Sequence, residues 1–368
     1  MAVIRPCGTY DTNYEQDMAL VRTPALKATV VVLAVAFFAL PLFTRGGGLG
    51  LNFIPLPLLG TLNRIGIFMI SVQGLNILLG YTGQISLGQS AFMAVGAYTS
   101  TVLVTRAGVP FWFAAPLAAL TAAIVGLVFG LPSLRVKGFY LAMATLAAQF
   151  IIPWIIKNPL KTLTGGATGL EVPAPRLGNW VLNTDHAMFY VIMITVIVAM
   201  LAAKNISRTR TGRAFIAIRD NDLAAELLGI NLLSYKLRAF FLCAFYAGLS
   251  GSLMAHYTRS IAPDGFDLVD SIWQLGMLIV GGPGFALGPL FGVTLVRLLR
   301  EFTTIITPTM REVLPSLMPF VDAPSIDRAL GPLFFGTALA LFLIFEPRGL
   351  AHRWQVFKTS FRLRPFSH

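Results

Sequence analysis

Apolar residues dominate this chain in blocks too long and too continuous for a soluble fold. A membrane-crossing helix needs about 20 predominantly apolar residues, with a range of about 17–25. Nine segments meet that need: 26–44, 63–80, 86–105, 112–131, 138–156, 187–203, 239–257, 284–300 and 331–346. A tenth, 266–282, carries Asp267 and Asp270 near its start. The pattern predicts an all-α, polytopic membrane helix bundle of about ten spans, some of them broken or re-entrant. Three regions follow from the same pattern: an N-terminal tail over 1–25, a transmembrane domain over 26–350, and a basic C-terminal tail over 351–368. The tail over 1–25 contains Asp11, Glu15 and Asp17, which does not suit the n-region of a signal peptide. Leu26–Thr44 therefore reads as a retained first span.

The pattern fails most abruptly near residue 80. The run from Ile65 to Leu79 meets Gly80, Gly83 and Gly88, with Thr82, Gln84, Ser86, Gln89 and Ser90 between them and no charge. At membrane depth, non-helical backbone is tolerated only inside protein or beside a water-filled cavity. The break points to a transport pathway, with Asn76, Thr82, Gln84, Ser86 and Gln89 lining or shaping it. Gly281, Gly284 and Gly288 echo Gly80, Gly83 and Gly88. Paired interruptions in two halves of a transporter mark a site between pseudo-repeats, but a chain with 34 glycines also produces such an echo by chance.

Two hydrophilic stretches interrupt the spans, 157–186 (rich in Gly, Pro and Thr) and 301–330 (with Pro308, Pro315, Pro319 and Pro324). Both are expected as outward-facing loops. The segment 208–230 differs. Ala, Leu and Glu favour a helix there, and Gly229 suits its end. Charges (Arg213, Arg219, Asp220, Asp222, Glu226) alternate with Phe215, Ile216, Ile218, Leu223 and Leu227. A helix lying in a groove of a soluble partner has this composition; so does a solvated loop helix whose cations set topology. On the span 239–257, Ala244, Gly248, Gly251 and Ala255 share one face, which permits close helix packing.

Composition agrees with the pattern. Of 368 residues, 56% are hydrophobic and 12% charged, with mean hydropathy +0.74; soluble domains carry about 25% charged residues. The net charge of +12 reflects Lys and Arg in cytoplasmic loops. No basic run with interleaved aromatics favours nucleic acid. Ten spans place both termini in the cytoplasm, along with most of the 28 basic residues. The cost is that Arg297 and Arg300 then approach the outer face.

Catalytic chemistry is missing. No Gly-Lys dipeptide occurs, so no Walker A phosphate loop exists. There is no His-Glu-x-x-His and no Gly-x-Ser-x-Gly. Cys7 and Cys243 are isolated, and the four histidines are scattered, so neither cofactor nor metal is expected. Ionisable residues, the usual relays of ion-driven carriers, are nearly absent from the middles of the spans. Energy for pumping would come from elsewhere.

The ordered set of segments resembles the LivM-type permease subunit of branched-chain amino acid ABC transporters. It runs from Gly74-Leu-Asn-Ile-Leu-Leu-Gly-Tyr-Thr-Gly-Gln-Ile-Ser-Leu-Gly-Gln-Ser-Ala-Phe92 and Gly96-Ala-Tyr-Thr99 through Gly138-Phe-Tyr-Leu-Ala-Met-Ala-Thr-Leu146 and Leu163–Leu170. It continues with Thr211-Gly-Arg-Ala-Phe-Ile-Ala-Ile-Arg-Asp220, Ala224-Ala-Glu-Leu-Leu-Gly-Ile230 and Lys236-Leu-Arg-Ala-Phe240, and closes with Gly281-Gly-Pro-Gly284 and Glu346-Pro-Arg-Gly-Leu350. The resemblance implies an inner-membrane importer subunit working with a second permease subunit, two cytoplasmic ATP-binding subunits and a periplasmic binding protein. It also implies that 208–230 docks on the ATPase. Importer permeases carry Glu-Ala-Ala-x-x-x-Gly there; in this chain Leu223 stands at the Glu position, followed by Ala224, Ala225 and Gly229. Arg213, Arg219, Asp220, Glu226 and Gly229 are the expected coupling residues. The substrate stays open between hydrophobic amino acids and small amides such as urea. A self-sufficient channel or an ion-coupled carrier is the rival from another class.

Overall fold

The computed structural model describes residues 38–43, 56–133, 139–177, 180–317, 323–346 and 348–363. The N-terminal tail, most of the first expected span and residues 134–138 lie outside the described residues. Inter-residue contacts divide the chain into Thr61–His352 and a second unit of the two chain ends. In the latter, the described residues include a 3₁₀ turn at Leu40–Phe43.

The described helices are α1 (Leu56–Leu75), α2 (Gln89–Thr105), α3 (Phe111–Ser133), α4 (Phe139–Lys157), the single turn α5 (Lys161–Thr164) and α6 (Asp185–Arg208). Then follow α7 (Arg210–Asp220), α8 (Asp222–Leu227), α9 (Leu232–Thr258), α10 (Leu268–Gly281), α11 (Gly288–Leu317), α12 (Ala323–Phe345) and α13 (Leu350–Leu363). The expected all-α membrane bundle is what the chain forms. Four helices are individually long and apolar enough to cross a membrane, or up to six spans if two bent helix pairs each count once. The remaining helices leave room for about ten.

At the centre, α9 packs against α2 and α3. Its small-residue face does this work. A Cβ on Gly96 would lie 2.1 Å from the Gly248 carbonyl oxygen, and one on Gly251 would lie 1.9 Å from that of Met93. Backbones this close leave no room for side chains, and dispersion contacts replace them. The face expected for packing serves that purpose.

Three expectations, two of loops and one of a single helix, change. The stretch 157–186 is not a plain loop: Leu170–Glu171 (β1) pairs antiparallel with Ser260–Ile261 (β4), and Arg176–Leu177 (β2) pairs with Trp180–Val181 (β3). His256 Nδ1 lies 3.1 Å from the Pro173 carbonyl oxygen, fastening this cap to the end of α9. The stretch 301–330 is mostly helical, since α11 runs on to Leu317 and α12 starts at Ala323. Proline is tolerated where neighbouring groups satisfy the freed backbone. The 208–230 helix is two helices, because the Asn221 side chain accepts from Ala224 N–H and starts a new one.

Candidate functional site

α1 does not end at Leu75. It opens into a π-helical turn over Asn76–Tyr81, a wide turn frequent at functional sites. The chain then leaves helical geometry at Gly83 (φ +69) and stays irregular until α2 begins at Gln89. From Ser71 to Gly80 is about 13 Å along a helix axis. Yet Gln89 Nε2 donates to Ser71 O (2.9 Å) and Ser71 Oγ (3.1 Å). The irregular segment therefore doubles back along α1. It is largely buried: Thr82, Gln84, Ser86 and Gly88 are all inside, while Ile85 is exposed.

α2 thus starts inside the bundle, where its first N–H groups have no water. Neighbouring helices supply the acceptors. Ser90 N–H donates to Ser271 Oγ (2.9 Å) and Ala91 N–H to Gln149 Oε1 (3.0 Å). Leu87 N–H donates to Thr145 Oγ1 (2.9 Å). The network continues as Ser271 Oγ donates to Gln149 Oε1 (2.9 Å), and Ser71 Oγ to Gln274 Oε1 (2.6 Å). Cys243 Sγ donates to Gln89 Oε1 (3.2 Å). Ser71, Gln149, Ser271 and Gln274 were not singled out from the sequence. Their signal was there, as lone neutral polar residues within apolar runs.

The π-turn end of the break meets two other parts of the chain. Asn76 is fully buried, and its amide clamps the backbone of two adjacent residues in the reversal between α10 and α11. Its Oδ1 accepts from Gly284 N–H (2.8 Å), and its Nδ2 donates to Phe285 O (3.0 Å). A Cβ on Gly80 would lie 2.4 Å from Gly284 N. The two glycine motifs are in contact. Arg219, near the end of α7, reaches the same place: its Nη1 donates to Gly80 O (2.8 Å), while its Nε and Nη2 hold Asp220 Oδ1 (3.1 and 3.0 Å).

The other expected residues fall as follows. Thr82 Oγ1 donates back to Leu78 O. Ser86 Oγ accepts from Gly88 N–H (3.4 Å). The Gln84 amide is buried, with neither polar atom hydrogen-bonded. Arg213 Nη1 donates to Arg208 O (3.3 Å), bracing the α6–α7 corner. Glu226 is exposed on α8, and Gly229 ends that helix at φ +83. Lys236 Nζ lies 3.7 Å from Asp222 Oδ2, an ion pair tying α8 to α9. Beyond Arg219, Leu223, Leu227 and Leu228 stand 60%, 89% and 81% exposed. No group of three or more His, Cys, Asp or Glu able to hold a metal occurs among the described residues.

The geometry describes a broken helix held to a second interruption and to a surface helix through one amide and one guanidinium. Comparison with known proteins agrees with a transport role. The family model described as "Branched-chain amino acid transport system / permease component" matches residues 58–321. The high-affinity branched-chain amino acid transport system permease protein LivM of Salmonella typhimurium is 29% identical over 308 residues, 77% of this chain and 67% of the relative. A probable LivM permease of Methanocaldococcus jannaschii is 23% identical over 64% of this chain and 66% of its own. The ribose import permease RbsC of Haemophilus influenzae is 20% identical over 79% of this chain and 87% of its own. No solved structure matches.

Proposed function

This chain belongs to the family of branched-chain amino acid transport system permease components, and from that premise we propose how it works. It is a multi-pass permease subunit of an ABC importer in the inner membrane, moving branched-chain or other hydrophobic amino acids. ATP hydrolysis takes place in two separate cytoplasmic subunits. A second permease subunit completes the membrane part, and a periplasmic protein delivers substrate. Both termini face the cytoplasm, as does the Gly80–Gly284–Arg219 junction.

One observation carries this reading: Arg219 donates to Gly80 O at the helix break, and three exposed leucines follow it on α8 and at its end. The leucines dock on an ATP-binding subunit, with Arg213, Arg219, Asp220, Glu226 and Gly229 forming the coupling element. Movement of α7 and α8 is then felt at the carbonyl of Gly80. A ligand shifts an equilibrium only by contacts that differ between states. The Arg219 and Asn76 hydrogen bonds are such contacts, able to form in one arrangement and break in the other. Asn76 and Gln89 hold the broken segment, and Thr82, Gln84 and Ser86 shape the path beside it.

The test is ATP-dependent uptake of radiolabelled leucine into proteoliposomes holding this chain, its ATP-binding subunits, its permease partner and the binding protein. Uptake that needs all components is expected. Flux through this chain alone would identify a channel or carrier. Uptake of urea or ribose in place of leucine would overturn the substrate class.

A further inference from the structure

The opposite end of the bundle holds a cleft that the coupling scheme does not use. Thr61 Oγ1 donates to Glu301 Oε1 (2.9 Å), and Asn63 Nδ2 donates to Asp185 O (3.0 Å) at the start of α6. These bonds set α11 near residue 301 level with the start of α6. Gly80 lies nineteen residues beyond Thr61, about 28 Å along a helix axis. Between α10, α11 and α12 a cleft of about 510 Å³ is lined by Trp273, Arg300, Thr303, Thr304, Thr307 and Pro332 among others. Its size falls in the range of small-molecule sites, about 300–1,000 Å³.

The lining divides by chemistry. Thr303 and Thr304 Oγ1 both donate to Arg300 O (2.7 and 3.0 Å), and Thr307 Oγ1 donates to Thr303 O (2.7 Å). Each hydroxyl has committed its proton to its own helix. Its lone pairs remain, so the three offer acceptors and no donor. Arg300 offers the reverse, five N–H donors and no acceptor. Among the described residues its guanidinium makes no hydrogen bond; it stands 5.9 Å from the Trp273 ring centre. Arg297, one turn away, is buried over the Phe68 ring (3.7 Å), with Nε unpartnered. The third element is an aromatic wall. Trp273 and Phe335 lie 3.8 Å apart at 30°, and Gly276 makes room, since a Cβ there would lie 2.3 Å from Phe335 Cζ.

A donor pole, an acceptor pole and an apolar wall complement an α-amino acid with an apolar side chain. We propose that this cleft receives the substrate from the outer side, with Arg300 taking the carboxylate, the Thr303, Thr304 and Thr307 oxygens the ammonium, and Trp273 the side chain. The inference rests on the amino-acid reading above. It gives a role to Arg300, one of the two cations whose approach to the outer face the span count left as a cost. A carboxylate matches a planar guanidinium in a two-bond geometry that an amide or a sugar hydroxyl does not offer.

The test uses the complete reconstituted importer with the variants Arg300→Gln, Arg300→Lys and Thr304→Val, and Ile305→Ala as a control outside the lining. Loss of a charge-assisted pair is expected to cut leucine uptake by Arg300→Gln about tenfold or more, with Arg300→Lys, which keeps the charge but not the two-bond geometry, regaining only part of it. Thr304→Val is expected to raise the KM for delivered leucine about threefold and leave assembly intact. It keeps the idea testable if Arg300→Gln fails to assemble. Leucine uptake by Arg300→Gln or Thr304→Val equal to wild type would overturn the cleft and leave the importer reading standing. A wild-type complex that moves sugars or amides and no amino acid would overturn that reading itself.

Discussion

Replacing Asn76 with alanine strips two hydrogen bonds from the backbone of Gly284 and Phe285. The Gly284 N–H loses a 2.8 Å acceptor and the Phe285 carbonyl a 3.0 Å donor. Asn76 itself has no exposed surface, while Gly284 and Phe285 are half-buried. A stranded buried polar group costs about 1–3 kcal/mol, so two cost about 2–6 kcal/mol. Partial access to water brings the expectation to the lower half, about 2–4 kcal/mol. Local opening at Gly284 should then become about 30- to 700-fold more frequent, at 1.4 kcal/mol per factor of ten. Amide hydrogen exchange of the 280–288 segment in the purified complex reads this directly. Asn76→Asp keeps the acceptor for Gly284 but turns an oxygen towards Phe285 O, so it should rescue nothing. Protection at Gly284 within threefold of wild type in Asn76→Ala would refute the clamp. Leucine uptake should fall in the same variant while the partner ATPases keep turning over.

Arg219→Ala removes the bond to Gly80 O and the exposed pair to Asp220, of which the Gly80 bond is worth about 1 kcal/mol after solvent screening; it should lower the ratio of leucine imported to ATP hydrolysed without dissociating the complex. Leu227→Ser changes a side chain 89% exposed and should leave stability within about 0.5 kcal/mol, while co-purification of the ATP-binding subunit is lost. Gln84 has both amide atoms buried and unbonded, so Gln84→Leu breaks no hydrogen bond and should leave thermal stability equal or higher. Its leucine uptake should fall if the amide faces the moving substrate, and unchanged uptake removes Gln84 from the path.

The helix bundle was legible because its signals are local. Apolar runs long enough to cross a bilayer give α3 and α4 within about two residues at each end, and the loss of that pattern at Gly80–Gly88 marks the break. Gly229 ends α8 in the left-handed conformation expected of it, and the small-residue face of α9 packs as a small-residue face should. Partner choice was not legible. Asn76 is one neutral amide among several, and nothing nearby in sequence shows that it binds backbone over 200 residues away. Gln149 and Ser271 supply the acceptors missing at the start of α2, a need that exists only because α2 begins inside the bundle. The threonines of α11 looked like part of an outward loop. Once helical, their hydroxyl protons go to the preceding turn and only acceptors face the cleft. Hydrophobic periodicity and helix breakers act within a few residues, so the sequence by itself determined the membrane bundle and where it is interrupted. A neutral hydrogen-bonding group accepts many partners, so only the tertiary structure decided that the two interruptions touch and that Arg219 holds the junction.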